Sequence, residues 1–112
     1  MKVIVAGSRD LLDYPLVKEA IERSGFTITE LVSGGARGVD TLGEKWAKEN
    51  NIPVKRFPAN WNLHGRGAGP IRNREMAEYA DACIALALCA GPGTKNMIRT
   101  AESHKLLLYV HK

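Results

Sequence analysis

Apolar runs and helical periods alternate along the whole chain. Lys2 to Ala6 is a short, β-branched, uninterrupted run, the pattern of a strand buried on both faces of a parallel sheet. Asp13 to Ser24 carries Val17, Ala20, Ile21 and Ser24 on one helical face. Asp13 caps this helix, Pro15 suits its first turn and Gly25 ends it. Glu30 to Ser33 reads as a second strand. From Val39 to Asn50 the residues Val39, Leu42, Gly43, Trp46 and Ala47 share one face. A third strand lies around Val54 to Phe57. Ala59 to Gly69 has no period, and Pro70 opens a third helix. Asp81 to Leu88 is a fourth strand. Thr94 to His104 is a fourth helix, with Met97, Ile98 and Ala101 inward, and Leu106 to Val110 is the last strand.

Strands alternating with helices in this way predict an α/β protein, a Rossmann-like three-layer sandwich. Right-handed crossovers give a five-stranded parallel sheet in the order 3-2-1-4-5, with about four helices. The winding then reverses between the first and fourth strands, and ligands in such sheets bind beyond the strand carboxyl ends at that reversal. With 112 residues, the chain is read as a single domain, residues 1–112. A domain this size buries roughly two-thirds of its unfolded surface.

Composition narrows the function classes. The hydrophobic fraction is 45%, ordinary for a globular protein. No apolar run approaches the ~20 residues of a membrane helix, and the amino-terminal run reads as a strand rather than a signal peptide. A cytoplasmic protein with no membrane partner is expected. The net charge of +4 suits an anionic ligand. Arg9, Arg37, Arg66, Arg72 and Arg74 sit within glycine-rich turns, which favours a local anionic site over a broad nucleic-acid footprint. Cys83 and Cys89 have no metal or disulfide spacing and read as a core residue and a loop thiol. His64, His104 and His111 form no ligand pattern, and the last two fall at surface or terminal positions. No metal and no cofactor are expected.

The chemistry concentrates in the turns. Ser33-Gly34-Gly35-Ala36-Arg37-Gly38-Val39-Asp40 follows a strand and opens a helix, and a helix amino terminus with unhindered amides binds anions. Gly91-Pro92-Gly93-Thr94 repeats the arrangement after the fourth strand, and Gly7-Ser8-Arg9 follows the first. All three turns fall at one sheet edge. Neither a Walker A lysine nor a GxGxxG fingerprint is present. Thr94 is read as capping its helix while offering a hydroxyl to phosphate. Asp40 is read either as a favourable charge in a helical first turn or as an acceptor for a sugar hydroxyl or another turn. Arg37 either pairs with phosphate or is solvated. Arg72-Asn73-Arg74 is read either as an inward Asn73 amide that ties two loops together or as Arg72 or Arg74 reaching an anionic ligand. Trp61 and His64 either stack on a base or cover the site.

These stretches, together with Gly69-Pro70-Ile71-Arg72-Asn73-Arg74-Glu75-Met76-Ala77, resemble the SLOG superfamily. That superfamily of Rossmann-like proteins includes the Lonely Guy phosphoribohydrolases and DprA, and the chain looks closest to the small YspA-like members. The resemblance implies binding of a nucleotide or nucleotide-derived ligand at this edge, and a homodimer or higher homo-oligomer. Lonely Guy enzymes carry a PGGxGTxxE motif whose Glu cleaves the N-glycosidic bond. Here Gly93-Thr94 remains, Met97 stands at the Glu position, and the segment from Asp81 to Gly93 is about two residues longer. The family's catalytic Arg corresponds to Arg72, with Asn73 in place of the following Lys. Arg72-Asn73-Arg74 is also similar to a stretch of DprA, whose extra domains have no counterpart here.

The leading expectation is therefore a binding module. It takes a nucleotide-like small molecule through Gly7, Ser8, Arg9, Ser33, Gly34, Gly35, Arg37, Gly38, Asp40, Arg72, Asn73, Gly91, Gly93 and Thr94, as a sensor or sequestering protein. One alternative is an N-glycosidic nucleotide hydrolase using another carboxylate, with Arg72, Glu75 and Asp40 as candidates. A further alternative is a single-stranded nucleic-acid binder.

Overall fold

The computed structural model describes residues 1–112. A parallel sheet runs β3-β2-β1-β4-β5, the order the alternation predicts. Its strands are β1 (Lys2–Ala6), β2 (Glu30–Ser33), β3 (Val54–Arg56), β4 (Ala82–Leu86) and β5 (Leu107–His111). The helices are α1 (Tyr14–Ser24), α2 (Val39–Glu49), α3 (Trp61–His64), α4 (Ala68–Tyr79) and α5 (Pro92–Ser103), with a 3-10 turn at Gly65–Gly67.

Strand side chains alternate between faces, so each uninterrupted apolar run feeds two cores. Val3, Val5, Leu31, Ile84 and Leu86 pack beneath α1 and α2 with Val17, Ile21, Val39 and Ala47. Ile4, Ala6, Val32, Cys83 and Ala85 pack beneath α4 and α5 with Met76, Ala77, Met97 and Ala101. The central strand β1 aligns Ile4 with Val32 on one side and Cys83 on the other. Its position fixes the loop that leaves Ala6 at the centre of the carboxyl edge.

The expected start and stop of α1 are present. Asp13 Oδ1 accepts from the Leu16 amide at 3.2 Å, and Gly25 closes the helix in the left-handed region at φ 71°. Four expectations shift. The stretch before Pro70 contains α3, capped by Asn60 Oδ1 accepting from the Leu63 amide at 3.0 Å. The next helix, α4, starts at Ala68, so Pro70 lies inside its first turn, where no intrahelical amide bond is lost. Strand β4 stops at Leu86 because the Ala90 amide donates back to the Ala87 carbonyl at 3.1 Å, curling the chain out of the sheet. Finally, α5 starts at Pro92 with Gly91 at its cap position, so Thr94 sits in the first turn and does not cap.

His111 is terminal, as read, but buried at the end of β5. Its Nδ1 lies 2.9 Å from the Tyr109 hydroxyl and its Nε2 lies 3.4 Å from Glu19. No helix is long and apolar enough to cross a membrane.

Candidate functional site

A cleft of about 440 Å³ opens at the carboxyl edge of the sheet, between the loops that leave β1 and β4. Gly7, Ser8, Arg9 and Asp10 form one wall, and Gly91, Pro92, Gly93 and Thr94 form the other. Asp40 of α2 and Arg72, Asn73 and Met76 of α4 close the sides, and Trp61 of α3 stands at the edge. This is the winding reversal that the strand order puts between β1 and β4. A second depression, between α2 and β3, lies away from this edge and is an open surface crossed by the Arg56–Glu44 ion pair.

The two glycine turns read from sequence as equivalent differ in how much of each reaches the cleft. In the β2–α2 turn the Gly35 amide donates to Ser33 Oγ at 3.0 Å. The Ala36 amide donates to Asp40 Oδ2 at 3.2 Å, and the Val39 amide donates to the Ser8 carbonyl at 3.2 Å. Internal acceptors take these three donors, whereas the Gly34, Arg37, Gly38, Asp40 and Thr41 amides meet no acceptor within the protein. Of this turn Ala36 and Asp40 line the cleft, and Ser33, Gly34, Gly35, Arg37 and Gly38 do not. Gly38 holds φ 73° and ψ −128°, and a Cβ there would lie 2.6 Å from Arg9 Cα. Only glycine lets β1's loop and α2 approach this closely.

The β4–α5 turn is different. No protein acceptor takes the Gly93 and Thr94 amides, and no side chain caps α5. Thr94 is a buried residue that lines the cleft, and its hydroxyl stays accessible there and makes no hydrogen bond within the protein. The free donors of a helix amino terminus, where the helix dipole adds its positive end, therefore face the cleft.

Between the turns runs a hydrogen-bonded relay. Arg72 Nη1 donates to the Gly34 carbonyl at 2.8 Å and Nε donates to Asn73 Oδ1 at 3.1 Å. Asn73 Nδ2 donates to Asn96 Oδ1 at 2.9 Å and to the Gly93 carbonyl at 3.3 Å. Asn73 is thus the inward amide that ties two loops together. A Cβ at Gly34 would lie 2.8 Å from the Arg72 guanidinium carbon and 2.9 Å from Asp40 Oδ2, so a side chain there would displace the Arg72 contact.

Asp40 is the buried charge of the cleft. Burial pushes its carboxyl from 3.8 up to about 6, against the lowering effects of the Ala36 amide and the Arg72 charge, and Glu44 adds to the rise. Arg9 and Arg37 are exposed and have no carboxylate within salt-bridge distance. Arg66 and Arg74 are equally exposed and lie outside the cleft lining. His64 and Glu75 are exposed and do not line the cleft. Trp61 is 60% exposed and lines the cleft.

Several contributors escaped the sequence reading. Asp10, Ala36, Met76, Cys89 and Met97 line the cleft, and Asn96 braces Asn73. Asn96 was within reach of sequence, since it lies one helical turn beyond Pro92 in the stretch already singled out. Cys89 was not, because its position depends on a left-handed backbone at φ 58°.

Fold and cleft together define a parallel α/β protein with a helix amino terminus of unpartnered amides at its winding reversal. The chain belongs to the YspA, cpYpsA-related SLOG family, whose sequence model matches residues 1–64. It is similar to the Gene 61 protein of Mycobacterium phage D29, with 34% identity over 111 residues, covering 90% of this chain and 88% of that protein. It also superposes on the X-ray structure of DNA processing protein A (DprA) from Streptococcus pneumoniae, with a TM-score of 0.76 at 18% identity. That match covers 97% of this chain and 49% of the DprA chain, so the likeness is one of fold and this chain spans about half of that protein's length.

Proposed function

We propose that this chain binds a nucleotide or a nucleotide-derived phosphate ligand in the cleft, as a sensor or sequestering module. The observation that carries this reading is the α5 terminus. Two first-turn amides and the Thr94 hydroxyl lie at the cleft lining without protein acceptors. A phosphate group takes such donors well because its charge meets the helix dipole. The Arg9 guanidinium at the opposite wall adds a second positive group. Family membership supports the same reading.

The test is a thermal-shift screen of AMP, ADP-ribose, NAD, cyclic nucleotides and short single-stranded DNA. A ligand at about 100 times its dissociation constant adds about 2.7 kcal/mol, a shift of several degrees for a domain of this size. Gly93→Val, which places a side chain in open space at the cleft wall, should remove the shift and leave a folded protein. A flat response to every compound overturns the reading.

A hydrolytic reading is favoured by one observation, a carboxyl titrating at about 6 in the same cleft as Arg72. Such a group is poised for proton transfer near neutral pH. Chromatography for a released base, after incubation with each nucleotide, separates hydrolysis from binding.

A further inference from the structure

Among the groups lining this cleft, Asp40 is out of character with an anion site. The α5 amides are donors, and Arg9 and Arg72 are cations. Asp10, the other carboxylate, is exposed at the mouth. Asp40 is only 8% exposed. One of its oxygens, Oδ2, accepts from the Ala36 amide. The other, Oδ1, makes no hydrogen bond within the protein, yet it is not sealed off, so it is reached from the cleft that the residue lines.

The Arg72 charge favours the ionised form of Asp40 without pairing with it. Arg72 directs Nη1 to the Gly34 carbonyl and Nε to Asn73, and forms no ion pair with Asp40. Glu44, one turn along α2, is engaged by Ser33 and Arg56. A buried carboxylate with a vacant acceptor repels a bare phosphate and requires a donor from whatever fills the cleft. A nucleotide offers such donors next to its phosphate, on the ribose.

This step rests on the nucleotide reading above and narrows its substrate class. We infer that Asp40 is the specificity-determining residue of the cleft: its free oxygen accepts a hydrogen bond from a ribose hydroxyl of a ligand whose phosphate sits on the α5 terminus. The cleft accordingly selects ribonucleotides over deoxyribonucleotides and over inorganic phosphate.

Calorimetric titration near pH 8, where carboxylate and phosphate are both ionised, tests this with AMP, 2′-deoxy-AMP and 3′-deoxy-AMP. Ribose 5-phosphate and 2-deoxyribose 5-phosphate serve as base-free controls. A hydrogen bond to a buried carboxylate predicts that AMP binds about tenfold or more tightly than at least one deoxy analogue. Asp40→Ala should equalise them. Asp40→Asn keeps the side-chain shape and removes the charge, and should reduce the preference while remaining folded. Equal binding of AMP and both deoxy analogues by the wild-type protein overturns the role of Asp40 and leaves nucleotide binding standing. A preference that survives in both variants also overturns it. Failure of every probe to bind overturns both readings.

Discussion

The Arg72 guanidinium and the Gly34 carbonyl are joined by a 2.8 Å hydrogen bond across 38 residues of sequence. Through Asn73 the same side chain reaches the Gly93 carbonyl, so the turn after β2 is braced against the turn after β4. Arg72→Ala leaves the Gly34 carbonyl and the Asn73 amide oxygen short of a donor. The expected loss is about 1–3 kcal/mol of stability by urea denaturation, with weaker ligand binding. Arg72→Lys restores only part of either, because an ammonium cannot serve both acceptors in the plane of a guanidinium. A lysine variant equal to wild type in both measurements would show that charge alone matters at this position.

Gly38 and Gly93 make a contrasting pair, although both read from sequence as site glycines. At Gly38 a Cβ would run into the backbone at Arg9 and the residue would be held at positive φ. Gly38→Ala is expected to cost about 2 kcal/mol or more in unfolding free energy. At Gly93 nothing lies within 4 Å of an added Cβ, so Gly93→Val should keep the wild-type melting temperature to within a few degrees. Matching losses in the two variants would contradict the distinct roles assigned to the two turns.

That contrast marks the boundary of what the sequence makes legible. Strands buried on both faces read as unbroken apolar runs, which is why β1, β2 and β4 and the sheet order were recoverable. A four-residue helix such as α3 has no period to detect. The starts of α4 and α5 lay two residues before the expected ones, because a glycine and a proline in a first turn carry little helical signal. The site was legible as a place, one sheet edge, and not as a division of labour. Which turn presents its amides to the cleft depends on how the Val39–Ser8 and Arg72–Gly34 hydrogen bonds set the loops against each other, and these are tertiary contacts.

Two cysteines give a direct probe of cleft occupancy. Cys83 is fully buried, and burial pushes its thiol up to about 12. Cys89 is exposed and lines the cleft. A thiol reagent should label one site in the native protein and two after unfolding, since only an accessible thiolate reacts. A ligand seated on the α5 terminus should slow labelling of Cys89. Saturating ligand with an unchanged labelling rate would move the binding site away from this turn.

Trp61 separates base recognition from phosphate recognition. It is exposed on α3 at the cleft edge, so Trp61→Ala should change stability by less than about 0.5 kcal/mol. Stacking on an aromatic ring contributes about 1–3 kcal/mol per base, so the same variant should weaken AMP binding at least several-fold and leave ribose 5-phosphate binding unchanged. Equal loss for both ligands would assign Trp61 to the shape of the cleft rather than to the base.

The Asp40 carboxyl also makes stability depend on pH with a sign opposite to that of most carboxylates. Its folded value of about 6 lies above its ordinary value of 3.8, so between these values the folded state holds a proton that the unfolded state has released. Stability from this group is full below about pH 4 and is lost as pH rises through 6. The difference of about two pH units corresponds to a penalty of about 3 kcal/mol at pH 8. Asp40→Asn keeps an acceptor for the Ala36 amide and removes the buried charge. It should therefore be more stable than wild type by about 1–3 kcal/mol at pH 8, with the gain vanishing near pH 4. Denaturation of both proteins at several pH values isolates this group, because every other carboxylate is common to the two. A difference that stays constant from pH 4 to 8 would mean that the Asp40 charge is solvated through the cleft, and that its free oxygen needs no donor from a ligand.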